Sequence, residues 1–311
     1  MKLVFLDKKT IGDDIDFSPF YALGDVDEYA FTTPEEAPER VKDADVIIVN
    51  KVPVNEQTIA GADHLKLVCV TATGTNNLDK DYLDKRKIAW RNVAGYSTES
   101  VAQHTFSMLF YLLEHLRYYD DYVSEKHYLN DTLFTHFDKK FHQINGRTWG
   151  IIGLGAIGRR VADIATLFGA NVIYYSASGA TPQEGYHQVD LDTLLSASDI
   201  ISIHAPLNEH TERLINEETL HKMQSHAILL NLGRGPIIDE AALAKALKEN
   251  QIAAAGLDVL TVEPMSKTSP LVEILDYENL LITPHIAWAS VEARTRLMKI
   301  IENQIKEFFK V

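Results

Sequence analysis

The sequence predicts an α/β protein made of two Rossmann-like domains, each built on a parallel sheet. Three observations carry that prediction. Short β-branched runs alternate with amphipathic stretches along the chain, the pattern of strands joined by crossover helices. The length, 311 residues, exceeds one ordinary core and suits two domains. Residues 148–158, TWGIIGLGAIG, set a glycine-spaced turn between an apolar strand and a helix.

The first strand candidate is 3–7, in MKLVFLDKKT; its four-residue apolar run is too short for the core of a signal peptide. Candidates at 46–50, 67–70 and 89–93 follow. A second series runs 148–153, 171–175, 200–204, 227–232, 254–259 and 281–283. Between them, Asp239 is placed to cap a helix over 240–249, and Asn250 to end it. The chain passes from a strand through a Gly/Ser/Thr turn near 93–101 into a long apolar-faced helix expected to reach about residue 122. The stretch 124–145, polar and rich in His and aromatics, reads as an excursion between domains. There is no fixed-period repeat.

Composition narrows the class. At 46% hydrophobic and 24% charged residues, the chain is that of a soluble globular protein. No apolar run approaches the roughly 18 residues of a membrane span, so no membrane association is expected. The single cysteine, Cys69, lies in the apolar LKLVCV and reads as core filler. A reducing, cytoplasmic compartment is the expectation. A net charge of −14 argues against a nucleic-acid surface, and it means that an anionic substrate needs a particular local cation.

Gly153, Gly155 and Gly158 form G-x-G-x-x-G directly after a strand, and a helix follows. The first glycine permits a tight turn, the second lets backbone approach a pyrophosphate, and the third lets helix pack on strand. The helix N-terminus offers free N–H groups and a positive dipole end to the phosphates. This points to a dinucleotide cofactor. An acidic residue normally ends the next strand and binds the ribose 2′-hydroxyl. Here Tyr175 is followed by Ser176, Ala177 and Ser178, without a carboxylate and without a nearby following Arg or Lys. NAD is favoured only slightly and NADP stays open.

Three further stretches hold polar residues where strands end: NLGRGPIID with Arg234, GLDVLTVEP with Asp258 and Glu263, and ITPHIAWAS with His285 and Trp288. Ligands of open α/β sheets bind outside the carboxyl ends of strands. Reduction of a 2-keto acid needs a cation for the carboxylate, which Arg holds bidentately. It needs a proton donor for the carbonyl oxygen, which His supplies near neutral pH. A carboxylate beside the imidazole fixes its tautomer, the part that suits Glu263. Taken singly, these residues read as well as a surface ion pair, a turn residue and a loop histidine; together, after a dinucleotide fingerprint, they read as a catalytic set.

These residues also carry a family resemblance. ATGTNNLD (72–79), STESVAQHTF (97–106), GLGAIGRR (153–160), HAPLNEHT (204–211), LNLGRGPIID (230–239), GLDVLTVEP (256–264) and TPHIAWAS (283–290) are similar to D-isomer-specific 2-hydroxyacid dehydrogenases over essentially the full length. The resemblance implies Arg234 as substrate arginine, Glu263 as histidine partner and His285 as acid/base. It implies a flavodoxin-like substrate-binding domain of residues 1–97 completed by 290–311, closing onto an NAD(P)-binding domain of 98–289. Cofactor contacts are implied at Gly153, Gly155, Ala156, Ile157, Gly158, Ser176, His204, Ala205, Pro206, Thr211, Leu232, Gly233, Arg234, Asp258 and His285, with Asp258 near the nicotinamide carboxamide. Substrate contacts are implied at Thr73, Gly74, Arg234, His285 and Trp288, Trp288 reading equally as core packing. Homodimerisation through residues 100–145 is the family habit.

Within the family, VAQHTF and HIAWAS look similar to the hydroxypyruvate reductase, or glycerate dehydrogenase, branch. Hydroxypyruvate or glyoxylate is therefore the favoured substrate. Phosphoglycerate dehydrogenase fits less well, since NKVPVN (50–55) offers only Lys51 to a phosphate. The alternatives are a D-lactate dehydrogenase and a cofactor-sensing binding module of the corepressor type. His104 and His115, eleven apart, share a helical face but lack ligand partners at i+3 or i+4, so no metal is expected.

Overall fold

A computed structural model describes residues 1–179 and 183–311. They divide into two compact units, Met1–Ser97 with Trp288–Val311, and Thr98–Ala287. The return to the first unit therefore comes two residues earlier than the sequence reading placed it. Trp288 belongs there because its indole lies edge-on to Tyr96, centroids 6.3 Å apart, and packs on that unit's core.

The first unit contains β1 (Lys2–Phe5), α1 (Ser18–Tyr21), β2 (Asp25–Glu28), α2 (Ala37–Val41), β3 (Val46–Val49), α3 (Glu56–Ile59), β4 (Leu67–Val70), α4 (Lys80–Lys85) and β5 (Ala89–Arg91). Its strands form a parallel sheet in the order β2-β1-β3-β4-β5. β3 and β4 are buried on both faces, which explains their unbroken apolar runs. Side chains alternate along β1: Leu3 and Phe5 enter one core, Val4 and Leu6 the other. β2 was not legible as a strand. Its sequence, DVDE, has no apolar run because it is a charged edge.

The second unit contains α5 (Thr98–Leu113), α6 (Leu116–Ser124), β6 (Thr148–Ile152), α7 (Ala156–Leu167), β7 (Asn171–Tyr175), β8 (His187–Gln188), α8 (Leu191–Ala197), β9 (Ile200–Ile203), α9 (Glu217–His221), β10 (Ile228–Asn231), α10 (Glu240–Lys248), β11 (Ala254–Leu257) and β12 (Leu280–Ile282). The expected single helix to residue 122 is broken. His115 adopts φ +52°, a left-handed residue that interrupts the helical ladder, and so His104 and His115 do not share one helix. Asp239 caps α10 by accepting from the N–H groups of Ala241 and Ala242 at 3.0 and 3.2 Å, and Asn250 (φ +53°) follows its end. All seven strands are parallel in the order β12-β11-β10-β9-β6-β7-β8. Read from β8, this is the doubly wound order, which reverses between β6 and β9.

The chain closes on α11 (Val291–Phe309), whose N-cap Ser290 accepts from the N–H of Ala293. Its Leu297, Ile301 and Ile305 lie against Leu3, Phe5 and Leu67 of the first unit. Among the described residues, no helix is long and apolar enough to cross a membrane.

Candidate active site

Each sheet reverses its winding at one place, and a ligand crevice is expected there. In the first unit that place, between β1 and β3, is filled by the chain itself. The Asp7 carboxylate accepts from the backbone N–H groups of Asn50 (2.9 Å), Lys51 (2.6 Å) and Val52 (3.3 Å). Burial pushes its carboxyl above the usual range, although those three N–H groups pull the other way. An anion-binding nest is thus already occupied by a side chain.

In the second unit the reversal point carries the glycine turn. Gly153 has φ +94°, and a Cβ there would lie 2.7 Å from the Ala205 Cα, so the β6 turn touches the β9 loop backbone to backbone. A Cβ on Gly158 would lie 2.2 Å from the Gly153 carbonyl oxygen. Gly155, at the N-cap of α7, would send a Cβ to where no described residue lies within 4 Å. The first turn of α7, with Ala156 and Ile157, therefore presents its N–H groups beside this glycine turn.

The β9 loop adds a second feature that bears on the fit of a ligand. The His204 ring approaches the Ser202 hydroxyl at 3.1 Å, and Ser202 also accepts from the Trp149 indole N–H at 2.9 Å. His204 Nδ1 is buried without a hydrogen-bond partner among the described residues, and burial pushes the imidazole down to about 3. Thr211 turns inward: its hydroxyl donates to the Pro206 carbonyl at 2.7 Å and accepts from the Asn208 N–H at 2.8 Å, closing the loop. At the end of β7, the Ser176 and Ser178 hydroxyls lie 3.2 Å apart. An open glycine cradle, a helix N-terminus and an orphaned buried nitrogen fit a dinucleotide.

The next three strand ends converge by close backbone packing. A Cβ on Gly233 would lie 2.9 Å from the Ala205 carbonyl oxygen, and one on Gly235 would lie 1.9 Å from the Leu260 carbonyl carbon. The two glycines flanking Arg234 thus seat its loop on the β9 and β11 loops. Asn231, which sequence reading passed over, holds that turn: its side chain accepts from the Gly233 N–H and donates to the Arg234 carbonyl, both at 3.0 Å. Leu260 in turn donates its N–H to Glu263 Oε1 at 3.0 Å. The other carboxylate oxygen, Oε2, lies 2.7 Å from His285 Nδ1. Both side chains are about a third exposed or less, at 32% and 27%. With Nδ1 engaged, Nε2 is the nitrogen left for a substrate.

Asp258 is 2% exposed. Its Oδ1 accepts from the Thr283 hydroxyl at 2.6 Å and the Ile286 N–H at 2.9 Å, and its Oδ2 accepts from the Ala287 N–H at 3.0 Å. The carboxylate expected beside a carboxamide is therefore also the anchor of the loop that carries His285. In the first unit, Thr73 donates its hydroxyl to the Val93 carbonyl at 2.9 Å and accepts at its own carbonyl from Asn92 at 2.6 Å. Gly74 follows in the same loop, and Trp288 packs against Tyr96.

Residues 106–287 match the sequence model of the D-isomer-specific 2-hydroxyacid dehydrogenase NAD-binding domain. The chain belongs to the D-isomer-specific 2-hydroxyacid dehydrogenase family. It is an NAD(P)-dependent oxidoreductase of that family. It is 36% identical to the hydroxypyruvate reductase of Blautia hydrogenotrophica over 100% of this chain and 97% of the relative. It is 38% identical to the glycerate dehydrogenase of Methylorubrum extorquens over 98% of this chain and 93% of the relative. Among solved structures, an acyclic imino acid reductase in complex with NADPH and D-Arg superposes with a TM-score of 0.86 at 32% identity, covering 100% of this chain and 98% of that one.

Proposed function

We propose that this dehydrogenase reduces a short 2-keto acid, hydroxypyruvate or glyoxylate foremost, to the D-2-hydroxy acid, with NAD as the favoured cofactor. The observation that carries the proposal is the 2.7 Å pair of Glu263 and His285 at the carboxyl edge of the parallel sheet. The relatives named for hydroxypyruvate and glycerate support the substrate class.

When bound, the reduced cofactor supplies the hydride to C2 of the acid. The glycine cradle from Gly153 to Gly158 holds its pyrophosphate. His204, Ala205, Pro206, Leu232 and Gly233 border it, with Thr211 bracing their loop from inside, and Ser176 meets the ribose. Arg234 holds the substrate carboxylate through paired N–H groups. His285 donates a proton from Nε2 to the carbonyl oxygen as the carbonyl carbon is reduced, and Glu263 holds the ring in the tautomer that makes Nε2 the reacting atom. One hydride and one proton convert R–CO–COO⁻ to R–CHOH–COO⁻. In the reverse direction the same nitrogen removes the hydroxyl proton.

His285→Asn keeps a polar group near the position of Nδ1 and loses the acid/base nitrogen Nε2. Turnover is expected to fall roughly 10²–10⁴-fold, with the dissociation constant for the reduced cofactor within about threefold of wild type by fluorescence titration. Turnover near wild type removes His285 from the chemistry.

We also propose a homodimer. Leu129, Leu133, Phe134, Phe137 and Phe141 are each more than half exposed in the segment after α6. Such a concentration of apolar surface marks an interface, and a second copy is the expected occupant. Sedimentation equilibrium at micromolar concentration is expected to give twice the chain mass of 34.9 kDa. A monomer at that concentration rejects the assignment.

A further inference from the structure

His285 sits in a conformation that an L-residue with a Cβ avoids. Its φ is +55°, and such a residue persists only where its surroundings hold it. Its own N–H is shared between the carbonyls of Asp258 and Thr283, each at 2.9 Å. The next two residues, Ile286 and Ala287, donate their N–H groups to the Asp258 carboxylate. The orientation of the His285 ring therefore depends on where that carboxylate sits.

The carboxylate is in turn tied to α5. The Thr283 hydroxyl lies 2.6 Å from Asp258 Oδ1 and 3.1 Å from His104 Nε2. An ionised carboxylate only accepts, so the one hydroxyl hydrogen of Thr283 goes to Asp258. His104 Nε2, which also stands 3.6 Å from Asp258 Oδ1, must then donate to the nearer Thr283 oxygen. This bookkeeping fixes the His104 tautomer and orders a chain of donors from His104 to Thr283 to Asp258. Burial lowers the basicity of His104, while the charge of Asp258 opposes that effect, in keeping with a neutral ring. One turn earlier on α5, the Ser100 hydroxyl donates to the Ala287 carbonyl at 2.6 Å. Ser100 and His104, four residues apart on one helical face, grip both ends of the turn that carries His285.

We propose that His104 and Thr283 are positioning residues for the reaction, aligning His285 through the Asp258 carboxylate. The inference rests on the reading of His285 as the proton donor. It assigns α5 a task beyond packing, that of holding a strained turn in register. A displacement of about 1 Å at a reacting group costs on the order of 10²-fold in rate. Loss of either outer donor is expected to cost kcat about 10- to 100-fold while KM for the acid stays within about threefold.

The test compares His104→Phe, His104→Gln, Thr283→Val and Thr283→Ser with wild type and His285→Asn, using hydroxypyruvate and glyoxylate with NADH and NADPH. The deletions, His104→Phe and Thr283→Val, are expected to lower kcat as stated. The replacements that restore a donor, His104→Gln and Thr283→Ser, are expected to recover most of it. A double deletion no worse than either single one supports a single chain of bonds. Deletions with wild-type kcat, while His285→Asn is inactive, overturn the positioning role and leave the proton-donor reading standing. An active His285→Asn overturns that reading itself. If the deletions do not fold, the wild-type protein with ¹⁵N-labelled histidine decides, with His104→Gln assigning the signal: an Nε2–H tautomer is expected, and Nδ1–H contradicts the chain.

Discussion

Gly155 and Gly158 stand three residues apart in one motif, yet a side chain at each meets a different fate. A Cβ on Gly158 would lie 2.2 Å from the Gly153 carbonyl oxygen, so that glycine is required by the protein's own packing. A Cβ on Gly155 meets nothing within 4 Å among the described residues, so the protein's own packing does not require that glycine. Gly155→Val is therefore expected to fold with a Tm close to wild type and to bind NADH at least tenfold more weakly, about 1.4 kcal/mol. Unchanged affinity by fluorescence titration contradicts the placement of the pyrophosphate at this turn. Cys69 shows the opposite case, a reactive type with nothing to do: burial pushes its thiol up to about 12, and it fills the core that the sheet shares with α11. Glu263 and His285 lie twenty-two positions apart, and only the turn that forces His285 to φ +55° brings them to 2.7 Å.

At the scale of elements, α11 carries much of the first unit. It is remote in sequence from β1, yet Leu297, Ile301 and Ile305 close the face of the sheet formed by Leu3, Phe5 and Leu67. Ile301, fully buried, is a direct probe of that packing. Ile301→Ala is expected to cost about 2–5 kcal/mol, measured by urea unfolding of the first unit's tryptophan signal. A cost below about 0.5 kcal/mol means that the helix is not part of the core. The central strands β3, β4, β6, β9, β10 and β11 were legible because sheets buried on both faces need unbroken apolar runs. β2 was not, since DVDE lies at a charged edge, and neither was the two-residue β8. The break at His115 escaped notice because one left-handed residue leaves helical periodicity intact on either side. In the candidate site, residue type at strand ends pointed to Arg234, Glu263 and His285, and the fold brings Glu263 and His285 to 2.7 Å. Asn231, Thr283 and His104 were not legible, because their part is to hold backbone or one another, and spacing carries no trace of it.

For the whole molecule, the two units use the same sheet logic to different ends. Both wind in parallel and both reverse once, so both have a crevice at the reversal point. The first unit fills its crevice with Asp7, whereas the second keeps an open glycine cradle and an orphaned His204 nitrogen. That asymmetry places the features that fit a dinucleotide in the second unit. With a net charge of −14 the molecule repels an acid at long range, so the proposed substrate contact of Arg234 has a local attraction to supply. Substrate choice among neighbouring acids is a finer matter: one methylene in a pocket is worth about 1–3 kcal/mol, so several short 2-keto acids are expected to react at different rates. The most direct test of the account is the absorbance of the reduced nicotinamide, followed with purified protein, NADH or NADPH, and a panel of hydroxypyruvate, glyoxylate, pyruvate and 2-ketoisocaproate. The account predicts cofactor oxidation with hydroxypyruvate or glyoxylate fastest, NADH ahead of NADPH, and the D-hydroxy acid as product. Tight cofactor binding with no oxidation on any acid would contradict it and turn the molecule into a sensor of its cofactor rather than a catalyst.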